Sequence, residues 1–362
     1  MKGDETVQAR DLAYIIERFA RLDAFENKTI LITGFAGFLG YYLTHFFLQA
    51  LDLGTTIKSL VLLDNFMLRT PGWISRLSDR GAKIHVESID VANNSLAPVI
   101  RKYAPDYIVH MASIASPSYY RKYPVETLDA NVWGLRHLLD ASRDLSLSGL
   151  LFFSSSEIYG DPPSDAIPTV EDYRGNVASM GPRACYDEAK RFGETLCYVF
   201  AETYKLPICI VRPFNNFGPG MSVDDKRAPA DLARAVLRNE DIVLYSDGSP
   251  TRTFCYVADA VVGYLKALTH GKFDYFNIGM DGPKVSVRDF AEIYQRVGKA
   301  MLGYTGSVRF EKPIEKSYLI HNPMRRCPDM SKARRVLRFE PEITTEEGVR
   351  RFLTHLKEEE RT

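Results

Sequence analysis

The sequence predicts an α/β protein, a doubly wound parallel sheet with a smaller C-terminal substrate-binding lobe. Three observations carry this. Short apolar runs bounded by turns recur at 29–33, 60–64, 83–88, 107–111, 150–154 and 207–212. Stretches of helical character separate most of them, and such alternation buries a parallel sheet between two layers of helices. A glycine-punctuated turn, GFAGFLG, closes the first run.

Ahead of the first strand, Leu12, Ile15, Ile16 and Phe19 recur at helical spacing. Residues 4–25 are therefore expected to form an amphipathic helix on the domain surface, within an N-terminal extension of residues 1–27. The main domain is expected over 28–215. After about residue 215 the strand–helix rhythm loosens into Pro, Gly and Asp clusters, so a second lobe is placed at 216–362, with some segments returning to the first domain.

The first strand runs into Gly34, Gly37 and Gly40 and then a helix, and Phe38 and Leu39 between the last two glycines are also expected at the cofactor. Glycines at this spacing permit a tight turn, a close approach of backbone to a pyrophosphate, and close helix–strand packing. The helix N-terminus adds its partial positive charge. This is the signature of a Rossmann-type dinucleotide site. The second strand ends in Asp64-Asn65. A carboxylate there accepts both ribose hydroxyls and repels a 2′-phosphate, which favours NAD over NADP. Asp90-Val91, ending the third strand, is placed at the adenine edge. Met111, Ala112 and Ser113, after the fourth strand, and Pro213, after the sixth, complete the expected cofactor contacts.

Composition narrows the function. Forty-six basic and 46 acidic residues cancel, so a nucleic-acid partner is not expected. No apolar run approaches a membrane span, and residues 1–27 are too polar for a signal peptide. The five cysteines are scattered, without CxxC spacing. No metal site is expected, and reduced thiols in the cytoplasm fit best.

The chemistry is expected at the carboxyl edge of the fifth strand, where open α/β sheets place ligands. There the chain reads Ser154-Ser155-Ser156-Glu157-Ile158-Tyr159-Gly160, and later Tyr186-Asp187-Glu188-Ala189-Lys190. Tyr186 and Lys190 lie four apart and share a helix face. A phenol ordinarily ionises near 10. The Lys190 ammonium and the positive nicotinamide are expected to favour its phenolate and make Tyr186 a general base, with a serine hydroxyl bridging to substrate.

Together GFAGFLG, Asp64, HMAS, SSSEIYGDP, GPRACYDEAKRFGETLCY, RPFNNFGPGM and DGSPTRTFCYVADA resemble the extended short-chain dehydrogenase/reductases that act on nucleotide sugars. The resemblance runs from about Lys28 to the C-terminus. Within that family, SSSEIYGDPP and GPRACYDEAKR are most similar to the UDP-glucuronate decarboxylases, the UDP-xylose synthases. The resemblance implies NAD as cofactor and a homodimer joined by a four-helix bundle from helices near 120–145 and 185–204. It puts Ser155, Ser156 and Glu157 on the family's Thr-Ser-Glu, and Arg252 on its arginine near the sugar carboxylate. It sets Tyr120 near the sugar, Asn215 at the substrate phosphate, and Arg326 at the pyrophosphate. Arg227 and Tyr245 are further candidate substrate contacts. Two positions depart from the family pattern: Gly220 stands where an arginine is usual, and Ser155 replaces threonine.

Such enzymes begin by oxidising C4 of the sugar. In a glucuronosyl group the C4 ketone makes the C6 carboxylate a β-keto acid, which can lose carbon dioxide. Arg252 can orient that carboxylate through its planar fork, and Glu157, or a water it holds, can handle protons at C5. Ser156 at the acid position counts against a 4,6-dehydratase, and Glu157 counts against a 4-epimerase. Both remain alternatives to decarboxylation. From a different class, so does a non-catalytic protein that senses cofactor.

Overall fold

β1 (Thr29–Thr33) is buried along its whole length, as a strand flanked on both sides and covered on both faces must be. This is a computed structural model, and it describes residues 5–93, 96–312 and 323–360. β1 pairs in parallel with β2 (Ser59–Asp64) and β4 (Tyr107–His110). β3 (Ile84–Ser88), β5 (Gly149–Phe153), β6 (Ile208–Pro213) and β11 (Asp274–Ile278) extend a seven-stranded parallel sheet, ordered β11-β6-β5-β4-β1-β2-β3. The strand order reverses between β1 and β4, which opens the crevice where such sheets bind ligands. The six expected strands are present with ends shifted by at most a residue. The seventh, β11, is the return of the chain from the second lobe.

The core lies in two layers, one on each face of the sheet. One is built around α2 (Phe38–Asp52) and α9 (Val257–Leu268). The other sets α3 (Leu96–Tyr103), α6 (Leu135–Ser142) and α7 (Ala184–Tyr204) against the opposite face. The stretch expected as one helix near 120–145 is broken: α4 (Pro117–Lys122) and α5 (Pro124–Asp129) precede α6. Pro124 breaks it, because proline disfavours helical geometry in the residue before it, and Tyr123 is extended out of the helix at φ −125° and ψ 60°.

The N-terminal helix is shorter and more deeply engaged than expected. α1 spans Val7–Phe19, capped by Thr6, and ends where Ala20 turns left-handed at φ 54°; residues 22–25 form a short 3₁₀ turn. Asp4, the expected start, lies outside the described residues. Leu12, Ile15 and Phe19 are buried, and so is Asp11. Asp11 accepts hydrogen bonds from Tyr42 (2.5 Å), Tyr256 (2.6 Å) and Arg351 (2.8 Å). Those three belong to α2, β10 (Cys255–Tyr256) and α12 (Thr345–Glu359).

The second lobe is assembled from short pieces. β7 (Asn216–Phe217) pairs with β10, and β8 (Ile242–Leu244) with β13 (Val308–Phe310), while α8 (Ala228–Leu237) and α10 (Val287–Leu302) cover them. β9 (Thr251–Arg252) is flanked by β12 (Val285–Ser286) and β14 (Arg325–Arg326). The β9–β14 pairing sets Arg252 directly opposite Arg326. α11 (Ser331–Leu337) then leads into α12.

Candidate active site

The turn after β1 forms the floor of the crevice. Gly34 has φ +74°, and a Cβ there would lie 2.7 Å from the Ala112 backbone nitrogen. A Cβ on Gly40 would lie 2.2 Å from the Phe35 carbonyl oxygen. Both positions therefore require glycine, one for the turn and one for α2 to lie against it. No side chain among the described residues caps α2 at Gly37, ahead of Phe38 and Leu39.

At the end of β2 the Asp64 carboxylate accepts the backbone N–H groups of Phe66 (2.9 Å) and Ala36 (3.1 Å). Burial pushes its pKa upward against those bonds. A cradle closed to side chains, an uncapped helix start and a fixed carboxylate fit a dinucleotide. Asn65 accepts Met67 N–H, and Asp90 accepts Ala92 N–H. Val91 is buried against Gly134. Met111 and Ala112 hang from Thr33, by its carbonyl and hydroxyl respectively. The Ser113 hydroxyl is buried without a protein partner. Pro213 ends β6.

Tyr186 and Lys190 open α7 and are both buried. The Ser155 hydroxyl accepts the Glu157 N–H (3.2 Å) and, beside the Tyr186 phenol, draws its pKa down. Lys190 Nζ donates to the Phe153 carbonyl (2.7 Å) and lies 5.8 Å from the Tyr186 ring centroid. Burial pushes the Tyr186 phenol up to about 12 and the Lys190 ammonium down to about 7. Desolvation is the largest influence on the phenol, and the Ser155 hydroxyl and Arg227 pull against it. Ser154 turns away, donating to Glu194 (2.5 Å), which also holds Arg212.

Beside this head stands a cluster of cations around one carboxylate. Glu157 is ion-paired to Arg183 through one oxygen and Arg326 through the other. Burial favours its protonated form, but Arg183 and Arg326 together prevail and hold it down at about 2. Arg326 also donates to Ser156 Oγ (3.1 Å) and the Gly160 carbonyl (3.2 Å). Among the described residues Arg252 donates to backbone carbonyls, of Thr251 (2.9 Å) and Pro323 (2.5 Å). Burial and the neighbouring Arg326 lower its pKa to about 10. The Tyr120 ring stacks on Tyr186, centroids 5.2 Å apart, with its hydroxyl buried and unpartnered.

A family model described as "NAD dependent epimerase/dehydratase family" matches residues 30–279. The chain belongs to this family. Its cofactor is NAD. UDP-glucuronic acid decarboxylase 1 of Xenopus tropicalis is 32% identical over 338 residues, spanning 92% of this chain and 73% of that protein. UDP-glucuronic acid decarboxylase 6 of Arabidopsis thaliana is 32% identical over 331 residues, 89% of this chain and 87% of that one. The crystal structure of UDP-glucuronic acid 4-epimerase from Bacillus cereus shares the fold, with TM-score 0.76, 24% identity, and coverage of 91% and 99%.

In this epimerase/dehydratase chain the other expected substrate residues are spread along the second lobe. Asn215, at φ 44°, donates its amide to the Thr253 carbonyl (2.9 Å). Arg227 is held by Asp225 and lies 5.5 Å from the Phe38 ring, over the start of α2. Tyr245 follows β8, half-buried. Arg326, expected at a pyrophosphate, contacts Glu157 and Ser156. The Gly220 carbonyl accepts Arg69 (3.0 Å), and a Cβ at Gly220 would crowd Tyr41 at 2.7 Å. Arg183 and Asp187 are site residues that the sequence patterns did not single out. Their signal was present: Arg183 lies four before Asp187, and the two pair at 3.3 Å.

Proposed function

We propose that this protein oxidises C4 of UDP-glucuronate and then removes its carboxyl group as carbon dioxide, giving the 4-ketopentose nucleotide, or UDP-xylose where the hydride taken from C4 is returned to it. The observation that carries this reading is Glu157, locked as a carboxylate between Arg183 and Arg326, with Arg252 beside it and the Ser155–Tyr186 pair adjacent. Relatives named for decarboxylation support it.

NAD, when bound, accepts hydride from C4 and brings a positive ring that favours the Tyr186 phenolate. The chain's residues do the rest. Tyr186 takes the C4 hydroxyl proton, with Ser155 bridging. Arg252, whose present acceptors are neutral carbonyls, turns its fork to the C6 carboxylate. The C5–C6 bond breaks, its electron pair passes to the C4 oxygen as an enolate, and the proton on Tyr186 is placed to steady that oxygen. One proton must then be added at C5. A carboxyl held at about 2 is no proton source at neutral pH, so Glu157 acts as acceptor and anchors the water that delivers it.

We further propose a homodimer. Val125 and Leu128 on α5, Trp133 just after it, and Phe192, Tyr198 and Val199 on α7 are exposed on neighbouring elements, an apolar patch that calls for a partner. All five cysteines are free, in keeping with the reducing, cytoplasmic setting we propose. No helix among the described residues is long and apolar enough to cross a membrane.

Product analysis of the purified protein with UDP-glucuronate and NAD tests the reaction. A pentose or 4-ketopentose nucleotide is expected. Recovery of the hexuronate, or of only its C4 epimer, overturns the reading.

A further inference from the structure

Three guanidinium groups meet at this site: Arg183 from the start of α7, Arg252 from β9 and Arg326 from β14. Arg252 and Arg326 are direct cross-strand partners, an arrangement that repels unless an anion lies between or beside them. Glu157 neutralises one charge. Asp161 also faces Arg252, but it is exposed, and solvent screens it. The remaining anionic group is Asp187. It is buried and shares Arg183 with Glu157, accepting Arg183 Nε at 3.3 Å through Oδ2. Its other oxygen, Oδ1, is buried with no hydrogen-bond partner among the described residues. A carboxylate would ordinarily find donors for both oxygens. A carboxyl left half satisfied beside Glu157 is suited to carry a proton.

We propose that Asp187 is a specificity-determining residue: it competes with the substrate's carboxylate for the Arg183–Arg326–Arg252 cluster, so that acidic sugars bind with uptake of a proton by Asp187. The inference rests on the acid-sugar reading above. With Asp187 neutral, the cluster presents its full excess of positive charge to the ligand. With Asp187 ionised, Arg183 is divided between two carboxylates and an incoming third is repelled. Burial first, and then the Glu157 charge, raise the Asp187 carboxyl to about 7 against the pull of Arg183 and Arg326. Asp187 in turn raises the phenols of Tyr120 and Tyr186 and the thiol of Cys185, the other titratable groups beside it. The sign is fixed. Below about 7 Asp187 holds its proton and the acidic sugar binds well; above it the proton is lost and affinity falls. A neutral sugar feels little of this change.

KM for UDP-glucuronate, measured across neutral pH in the wild-type protein and in Asp187→Asn, tests the proposal. The wild-type KM should rise by up to about tenfold per pH unit above neutrality while kcat changes less, and Asp187→Asn, fixed in the neutral state, should show a flat KM. UDP-glucose as a competitive inhibitor should show no such pH dependence in either protein. Calorimetry of wild-type binding in buffers of different ionisation enthalpy gives a second readout that needs no variant: proton uptake with UDP-glucuronate and none with UDP-glucose. Equal pH profiles in both proteins, or no proton uptake, overturn this proposal alone. Absence of UDP-glucuronate binding at any pH overturns the acid-sugar reading with it.

Discussion

At the scale of single residues, the site divides its work between two groups that lie side by side. In the proposed reaction Tyr186, with Ser155 and Lys190, would serve the oxidation at C4; Glu157, with Arg252 and Arg326, would serve the loss of the carboxyl group and the protonation at C5. Substitutions should separate the two. Tyr186→Phe should slow reduction of NAD in a single turnover by about 10²–10⁴-fold, the usual worth of a general base, while cofactor binding persists. Glu157→Gln should still reduce NAD but release carbon dioxide slowly, and the NADH absorbance distinguishes the two. Equal oxidation by Tyr186→Phe and wild type would move the base elsewhere. Much of this division was legible in the sequence, because Tyr186–Lys190 and Ser155-Ser156-Glu157 are local patterns. Arg183 was not singled out, since its meaning depends on Glu157, 26 positions away in sequence. The height of the Tyr186 pKa was also hidden: spacing gives the nearness of Lys190 but not the desolvation that raises the phenol.

At the scale of elements, the parallel strands were legible because each is a short apolar run between turns, and burial on both faces leaves that mark in the residues. The pieces that complete the site leave none. β14 is two residues long, and its pairing with β9, which sets Arg326 beside Arg252, joins segments 74 positions apart that no periodicity links. α1 was legible as a helix but not in its role. Its apolar stripe was visible, whereas Asp11 on the same helix looked like an ordinary solvated residue. In the fold Asp11 joins α1 to α2, β10 and α12 through Tyr42, Tyr256 and Arg351. Asp11→Ala would take the carboxylate from two buried phenols and leave Arg351 with Glu347 alone, at a cost of roughly 3 kcal/mol. Thermal denaturation should show a clear fall in Tm for this variant, and no fall for the exposed Glu5→Ala. A Tm equal to wild type in Asp11→Ala would show that α1 is an ornament on the surface and not a strut.

At the scale of the whole molecule, the sheet places cofactor and chemistry in one crevice because its strand order reverses between β1 and β4. The glycine turn lies at that reversal, the Ser155–Glu157 turn comes after the neighbouring β5, and the second lobe brings Arg252 and Arg326 over it. α5 and α7 also carry exposed aromatic and aliphatic groups. Trp133, 56% exposed, should sit in a dimer contact. Trp133→Glu should give a monomer by light scattering with little loss of fold stability, because an exposed side chain contributes little to the monomer; an unchanged mass would refute the proposed interface. The central claim is that the C4 ketone made here goes on to lose its neighbouring carboxyl. Its most direct test is release of labelled carbon dioxide from UDP-glucuronate labelled at C6, with NAD present. The account predicts label in the gas phase matched by a pentose or 4-ketopentose nucleotide in solution. Label retained entirely in a hexuronate would contradict it.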